Sequence, residues 1–146
     1  MQNPDQLARL RRDPSLIKSA VEELLRYTNP LETATPRFAR EDVIVAGVTI
    51  PRGAQVLAVV ASANRDSSQF ESPDRLDITR ENNRQLAFGQ GAHFCLGAPL
   101  ARLEGQIAIN TLLRRLPRLQ LAVPEASLRW RATPVLRGLE KLPVRF

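Results

Sequence analysis

The chain has 146 residues, with 43% hydrophobic and 25% charged side chains and a net charge of +6. That is the size and composition of one globular domain, with no run of 18 apolar residues to cross a membrane and no apolar leader at the charged N-terminus. The charge excess is almost all arginine but is scattered, and aromatic content is only 5%. A nucleic-acid surface of interleaved basic and aromatic residues is therefore not indicated, and a solvated basic surface or a face for an acidic protein fits better.

In chain order, Asn3-Pro4 and Asp13-Pro14 each read as an N-cap followed by proline at the first helical position. The first helix is expected from Pro4 to Arg12. The second carries an apolar face of Leu16, Ile17, Ala20, Val21, Leu24 and Leu25 and should end near Tyr27, because Pro30 disfavours helix at Asn29. Val43–Val45 and Val48–Ile50 around Ala46-Gly47 predict a hairpin, Pro51-Arg52-Gly53 a turn, and Gln55–Val60 a further strand. Asn64 to Arg84 shows no periodicity, and a structureless run of that length needs a reason. A helix is expected over Pro99–Leu116. The tail, punctuated by Pro124, Pro134 and Pro143, predicts short edge strands.

The only cysteine and the only histidine lie two residues apart in Phe88-Gly89-Gln90-Gly91-Ala92-His93-Phe94-Cys95-Leu96-Gly97, directly before the long helix. One cysteine makes no internal disulfide, so a reducing cytoplasm is the default setting. A buried structural cysteine would not call for the glycines at 89, 91 and 97, each costly unless the backbone needs unusual angles or close approach. Structural zinc wants four Cys/His ligands, and the chain offers two. A Cys/His nucleophilic pair is held apart by the chain in an extended loop. Gly89-x-Gly91 is followed by Phe94 where a dinucleotide fingerprint wants glycine. A haem iron held by one thiolate accommodates all of this: Cys95 as metal ligand, glycines that let the loop lie flat under a planar ring, Phe88 limiting solvent, and helix N–H groups directed at the sulfur.

The phrase F-G-Q-G-A-H-F-C-L-G resembles the cysteine-loop signature of the cytochrome P-450 family of haem-thiolate monooxygenases, in its soluble bacterial form. Glu23-Leu24-Leu25-Arg26 resembles the family's E-x-x-R motif, and Pro73-Asp74-Arg75-Leu76 the later motif that supplies a third member, Arg75. The resemblance implies that Glu23, Arg26 and Arg75 form a buried ion cluster pinning the irregular segment. It implies haem b, with Cys95 on iron and His93 and Arg37 on the propionates. The implied fold is α+β and mainly helical, with small antiparallel sheets and an irregular segment before the cysteine loop.

The resemblance runs from about Asn3 to Phe146 yet corresponds only to the C-terminal portion of the family's single haem-binding domain. The long central helix over the distal haem face, with its acid–alcohol pair, has no counterpart here. A truncated reading frame, a start assigned at an internal methionine, or a deliberate fragment would each explain that. The implied function is the haem- and iron-binding portion of a monooxygenase that inserts one oxygen atom of O2 into a small organic substrate, inactive alone. A ferredoxin-type donor would supply electrons, docking on arginines such as Arg102, Arg114 and Arg115. A complementary N-terminal fragment would be a further partner, and Pro30–Ala39 would line part of the pocket. The alternative is a non-catalytic haem-binding or interaction module. Neither nucleic acid nor a membrane is expected as a partner.

Overall fold

The computed structural model describes residues 3–133 and 136–146. Helix α1 spans Pro4–Arg12, as its sequence predicts, although the Asn3 side chain makes no capping bond. Asp13 does cap: its side chain accepts from the Ser15 N–H, and a single 3-10 turn, Pro14–Leu16, leads into α2, Ile17–Thr28. Strand β1, Arg37–Phe38, and the hairpin of β2, Val43–Val45, and β3, Val48–Ile50, follow. Both turn residues of the hairpin, Ala46 and Gly47, have positive φ, the geometry that matches strand twist in a two-residue loop.

The strand expected over Gln55–Val60 is shorter. β4 is Gln55–Val56 and pairs antiparallel with β1, and the chain then turns into the short helix α3, Val60–Ala63. A slip of register explains the truncation. The β1–β4 register would set Thr35 opposite Ala58, but it is the Ala34 N–H that donates to the Ala58 carbonyl, at 2.9 Å, so the ladder slips by one residue beyond Pro36 and ends. Helix α4, Ala98–Arg115, follows the cysteine loop. Strands β5, Gln120–Leu121, and β6, Val144–Arg145, pair antiparallel and realise the expected tail strands, while Pro134 lies outside the described residues. The architecture is α+β and mainly helical, with three two-stranded antiparallel sheets among the described residues. No described helix is long and apolar enough to cross a membrane.

The core is small. Leu10 of α1, Ile17, Ala20 and Val21 of α2, and Ile78 are buried together, with Leu16, Leu25, Ile109 and Leu113 packed against them. At Gly105 of α4 the two long helices come close: a Cβ added there would lie 3.4 Å from Val21 Cγ1. The other side of α4 is open. Leu96, fully exposed, begins a stripe continued by Leu100, Leu103 and Ile107, all exposed and one helical face apart.

Helix α2 is buried on a second side, and there by charge. Glu23 and Arg26, one turn apart, have fully buried side chains and form a two-point ion pair, Nε–Oε2 and NH2–Oε1 both at 2.8 Å. The remaining Arg26 donors reach the carbonyls of Asn64 (2.9 Å), Pro73 (2.8 Å) and Arg75 (3.1 Å), so every guanidinium N–H is used. Glu23 also accepts from the Asp77 N–H (2.9 Å), the Asn83 amide (3.1 Å) and Arg80 Nε (3.1 Å). The second guanidinium on Glu23 is therefore that of Arg80. Arg75, expected in that place, is exposed and enters through its carbonyl, which Arg26 and Arg80 share. Phe70 lies under the Arg26 guanidinium at 5.2 Å and excludes water from it.

These bonds account for the irregular stretch from Asn64 to Arg84. It has no ladder of its own; several of its main-chain groups are bound by Glu23, Arg26 and Arg80, and others close local turns such as Phe70 N–H to the Asp66 carbonyl. Breaking a buried pair strands a charge, so Arg26→Ala should lose about 3–5 kcal/mol in urea unfolding followed by circular dichroism. Arg75→Ala, which keeps the carbonyl, should stay within about 0.5 kcal/mol of the parent.

Candidate functional site

The run into the cysteine loop starts from the ion cluster. Asn64, fully buried at the end of α3, gives its carbonyl to Arg26 and its side-chain oxygen to the Leu86 N–H at 2.7 Å. Gln85 Oε1 accepts from the Ala87 N–H at 2.6 Å. The loop then reverses over two glycines, Gly89 and Gly91, at φ +73° and +79°, a region that a side chain would strain. Gly97 differs: its φ is ordinary, and an added Cβ there would stand 3.7 Å from Cys95 Sγ.

Cys95 sits between two fixed points. Its N–H donates to the Phe88 carbonyl at 2.9 Å, and its carbonyl accepts from Ala98, the first residue of α4, at 3.2 Å. The thiol is exposed. The ring of Phe88 is half-buried, edge-on to Phe94 at 6.4 Å, and beneath the Arg102 guanidinium at 4.6 Å. His93 ends a 3-10 turn, Gly91–His93, and is exposed on the same loop. Arg37 lies elsewhere, exposed on β1, with its side-chain bond to Thr35 Oγ1. No contact among the described residues joins Arg37 to the cysteine loop.

The donor set fits a metal that brings most of its own ligands. Among the described residues no three His, Cys, Asp or Glu side chains converge to hold an ion. One exposed thiol on a loop kinked flat by glycines suits iron already held in a planar ring.

Glu22 and Arg102 were not singled out as a pair by sequence. Arg102 Nε and NH2 reach Glu22 at 2.5 and 3.1 Å, and Gln85 Nε2 adds a bond at 2.9 Å. Partial burial works to raise the Glu22 carboxyl, but the bonds from Arg102 and Gln85 prevail and hold it below the ordinary carboxylate value. Arg102, expected as a docking residue, is thus also paired within the molecule, with its side chain partly exposed. The two adjacent acids Glu22-Glu23 were the available signal, since on one helix they must face different ways. Asn64 and Arg80 gave none, because their partners are far away in sequence.

A family profile described as Cytochrome P450 matches residues 9–126. Cytochrome P450 107B1 of Saccharopolyspora erythraea is 54% identical over 143 residues, which cover 98% of this chain and 35% of that protein. The 6-deoxyerythronolide B hydroxylase of the same organism is 51% identical, over 99% of this chain and 35% of the relative. Among solved structures, the tirandamycin C-bound P450 monooxygenase TamI superposes with a TM-score of 0.96 at 49% identity, covering 99% of this chain and 36% of TamI. The chain therefore spans about a third of the length of these relatives.

The lowered Glu22 carboxyl sets a pH dependence. Its stabilisation is present above the unfolded value of about 4.3 and is lost as pH falls through the lower folded value. The urea midpoints of parent and Glu22→Gln should differ at pH 7, and the gap should narrow as the pH is lowered through the folded value.

Proposed function

The chain belongs to the cytochrome P450 family, and from that premise we propose that it is the haem- and iron-binding portion of a monooxygenase. The observation that carries this is the Cys95 loop: a single exposed thiol, held at its N–H by Phe88 and at its carbonyl by the first turn of α4, with no other metal-ligating group converging on it among the described residues. Cys95 would hold the iron of haem b. When bound, haem supplies dioxygen activation, by which one oxygen atom enters an organic substrate. The chain's own part is positional and electrostatic. Cys95 would hold the iron through its thiolate, Gly89 and Gly91 would supply the backbone angles that present it, and Phe88 would limit water at the sulfur. His93 and Arg37 would pair with the propionates, His93 from the loop itself and Arg37 from β1.

Electrons would come from a ferredoxin-type donor attracted by exposed basic residues such as Arg114 and Arg115. The substrate would be a small organic molecule touched in part by Pro30–Ala39, with the rest of its pocket supplied by a complementary N-terminal portion. The open stripe of Leu96, Leu100, Leu103 and Ile107 supports that partner, because an apolar face of this kind is covered in a stable fold. Without it the chain would be inactive and would take up hemin weakly. A reducing compartment, the cytoplasm, suits a free thiol ligand.

The test is spectroscopic. Loaded with hemin, reduced and exposed to carbon monoxide, the parent should show a thiolate-type Soret band, and Cys95→Ser should lose it. His93→Ala should keep the band type and bind hemin several-fold more weakly. A parent spectrum of imidazole type would overturn the assignment of Cys95. Stoichiometric hemin uptake by a monomer of this chain alone would overturn the need for a complementary portion.

A further inference from the structure

We propose that Arg102 is a positioning residue for Cys95: braced by Glu22, its guanidinium holds the Phe88 ring, and through the Phe88 carbonyl it fixes the backbone that carries the sulfur. The contacts form a continuous chain. Glu22 on α2 grips Arg102 on α4 at two points, 2.5 and 3.1 Å, and Gln85 steadies the same carboxylate at 2.9 Å. Gln85 in turn accepts from the Ala87 N–H, the residue before Phe88. The Arg102 guanidinium covers one side of the Phe88 ring at 4.6 Å, and Phe94 meets the ring edge-on at 6.4 Å. The Phe88 carbonyl then accepts the Cys95 N–H at 2.9 Å.

These contacts are not needed to join the helices. Val21 against Gly105, with Ile109 and Leu113 on the core, already packs α2 on α4. Releasing Arg102 therefore frees a ring and a loop and leaves the helix packing in place. Burial does little to hold the loop: Gly89 and Gly91 loosen it, and all its residues from Gly89 to Gly97 are exposed. The cation over the aromatic face and the two-point ion pair supply the order that burial does not.

The purpose of the clamp rests on reading Cys95 as the iron ligand, but its existence does not require bound haem. It can be tested on the full chain by amide hydrogen exchange. In the parent, the Cys95 amide should be protected relative to a free peptide. In Arg102→Met it should exchange about tenfold faster or more, while amides of α2 such as Val21 and Leu25 keep their protection. Arg102→Lys, which retains a cation but not the two-point grip, should recover part of the Cys95 protection. Unchanged Cys95 exchange in Arg102→Met would overturn the proposal. So would loss of α2 and Cys95 protection together with no recovery in Arg102→Lys, or free-peptide exchange throughout the parent. Hemin titration of the same samples separates the two readings. A Cys95 amide that responds as stated in a chain showing no thiolate-type spectrum leaves the clamp standing and removes only the haem assignment.

Discussion

A carboxylate and a guanidinium with no exposure to water have to be satisfied completely or not buried at all. In this chain Glu23 and Arg26 meet that demand by drawing in the backbone around them. Arg26 spends two donors on Glu23 and three on carbonyls of a segment far along the chain. Glu23 recruits Arg80, Asn83 and the Asp77 N–H. The ion pair by itself is weak evidence of stability, since desolvation offsets much of its attraction. Its effect is to give one geometry to a stretch of chain that forms neither helix nor sheet.

From that anchor the order passes outward by hydrogen bonds that can be followed residue by residue. Asn64 ties the cluster to Leu86, Gln85 ties Ala87 to the Glu22–Arg102 pair, and Phe88 holds Cys95. The far side of the cysteine is fixed by the start of α4. An exposed thiol on a glycine-rich loop is thus placed by buried chemistry on α2. The helix is amphipathic in an unusual sense: one side is buried because it is apolar, the other because its charges are matched.

Features set by near neighbours could be read from the sequence. Helix α1, the Asp13 cap, the Ala46-Gly47 hairpin and α4 follow from local spacing and from proline and glycine chemistry. The cysteine loop was legible because its residues are contiguous, and the i, i+3 spacing of Glu23 and Arg26 because one helical turn brings them together. What was missed depends on distant pairing. Arg65, Arg75, Arg80 and Arg84 all lie in one unpatterned stretch, and nothing in its spacing says which of them meets Glu23; the family resemblance points to Arg75, whereas Arg80 occupies the place. The Glu22–Arg102 pair spans two helices separated by most of the chain. β4 ends early because its register with β1 slips by one residue beyond Pro36, which the spacing of Gln55–Val60 does not encode.

At four points between Asn64 and Asp77 the cluster recognises the chain through peptide groups. Arg26 touches Asn64, Pro73 and Arg75 only at their carbonyl oxygens, and Glu23 takes the main-chain N–H of Asp77. Such recognition is indifferent to which side chain stands at Pro73 or Arg75 but strict about where along the chain the peptide unit falls. Replacement at these sites is cheap, whereas insertion or deletion of a single residue between Asn64 and Asp77 would throw every later carbonyl out of reach of the guanidinium. At Pro73 and Arg75 the chain is specified by its count of residues more than by their kinds.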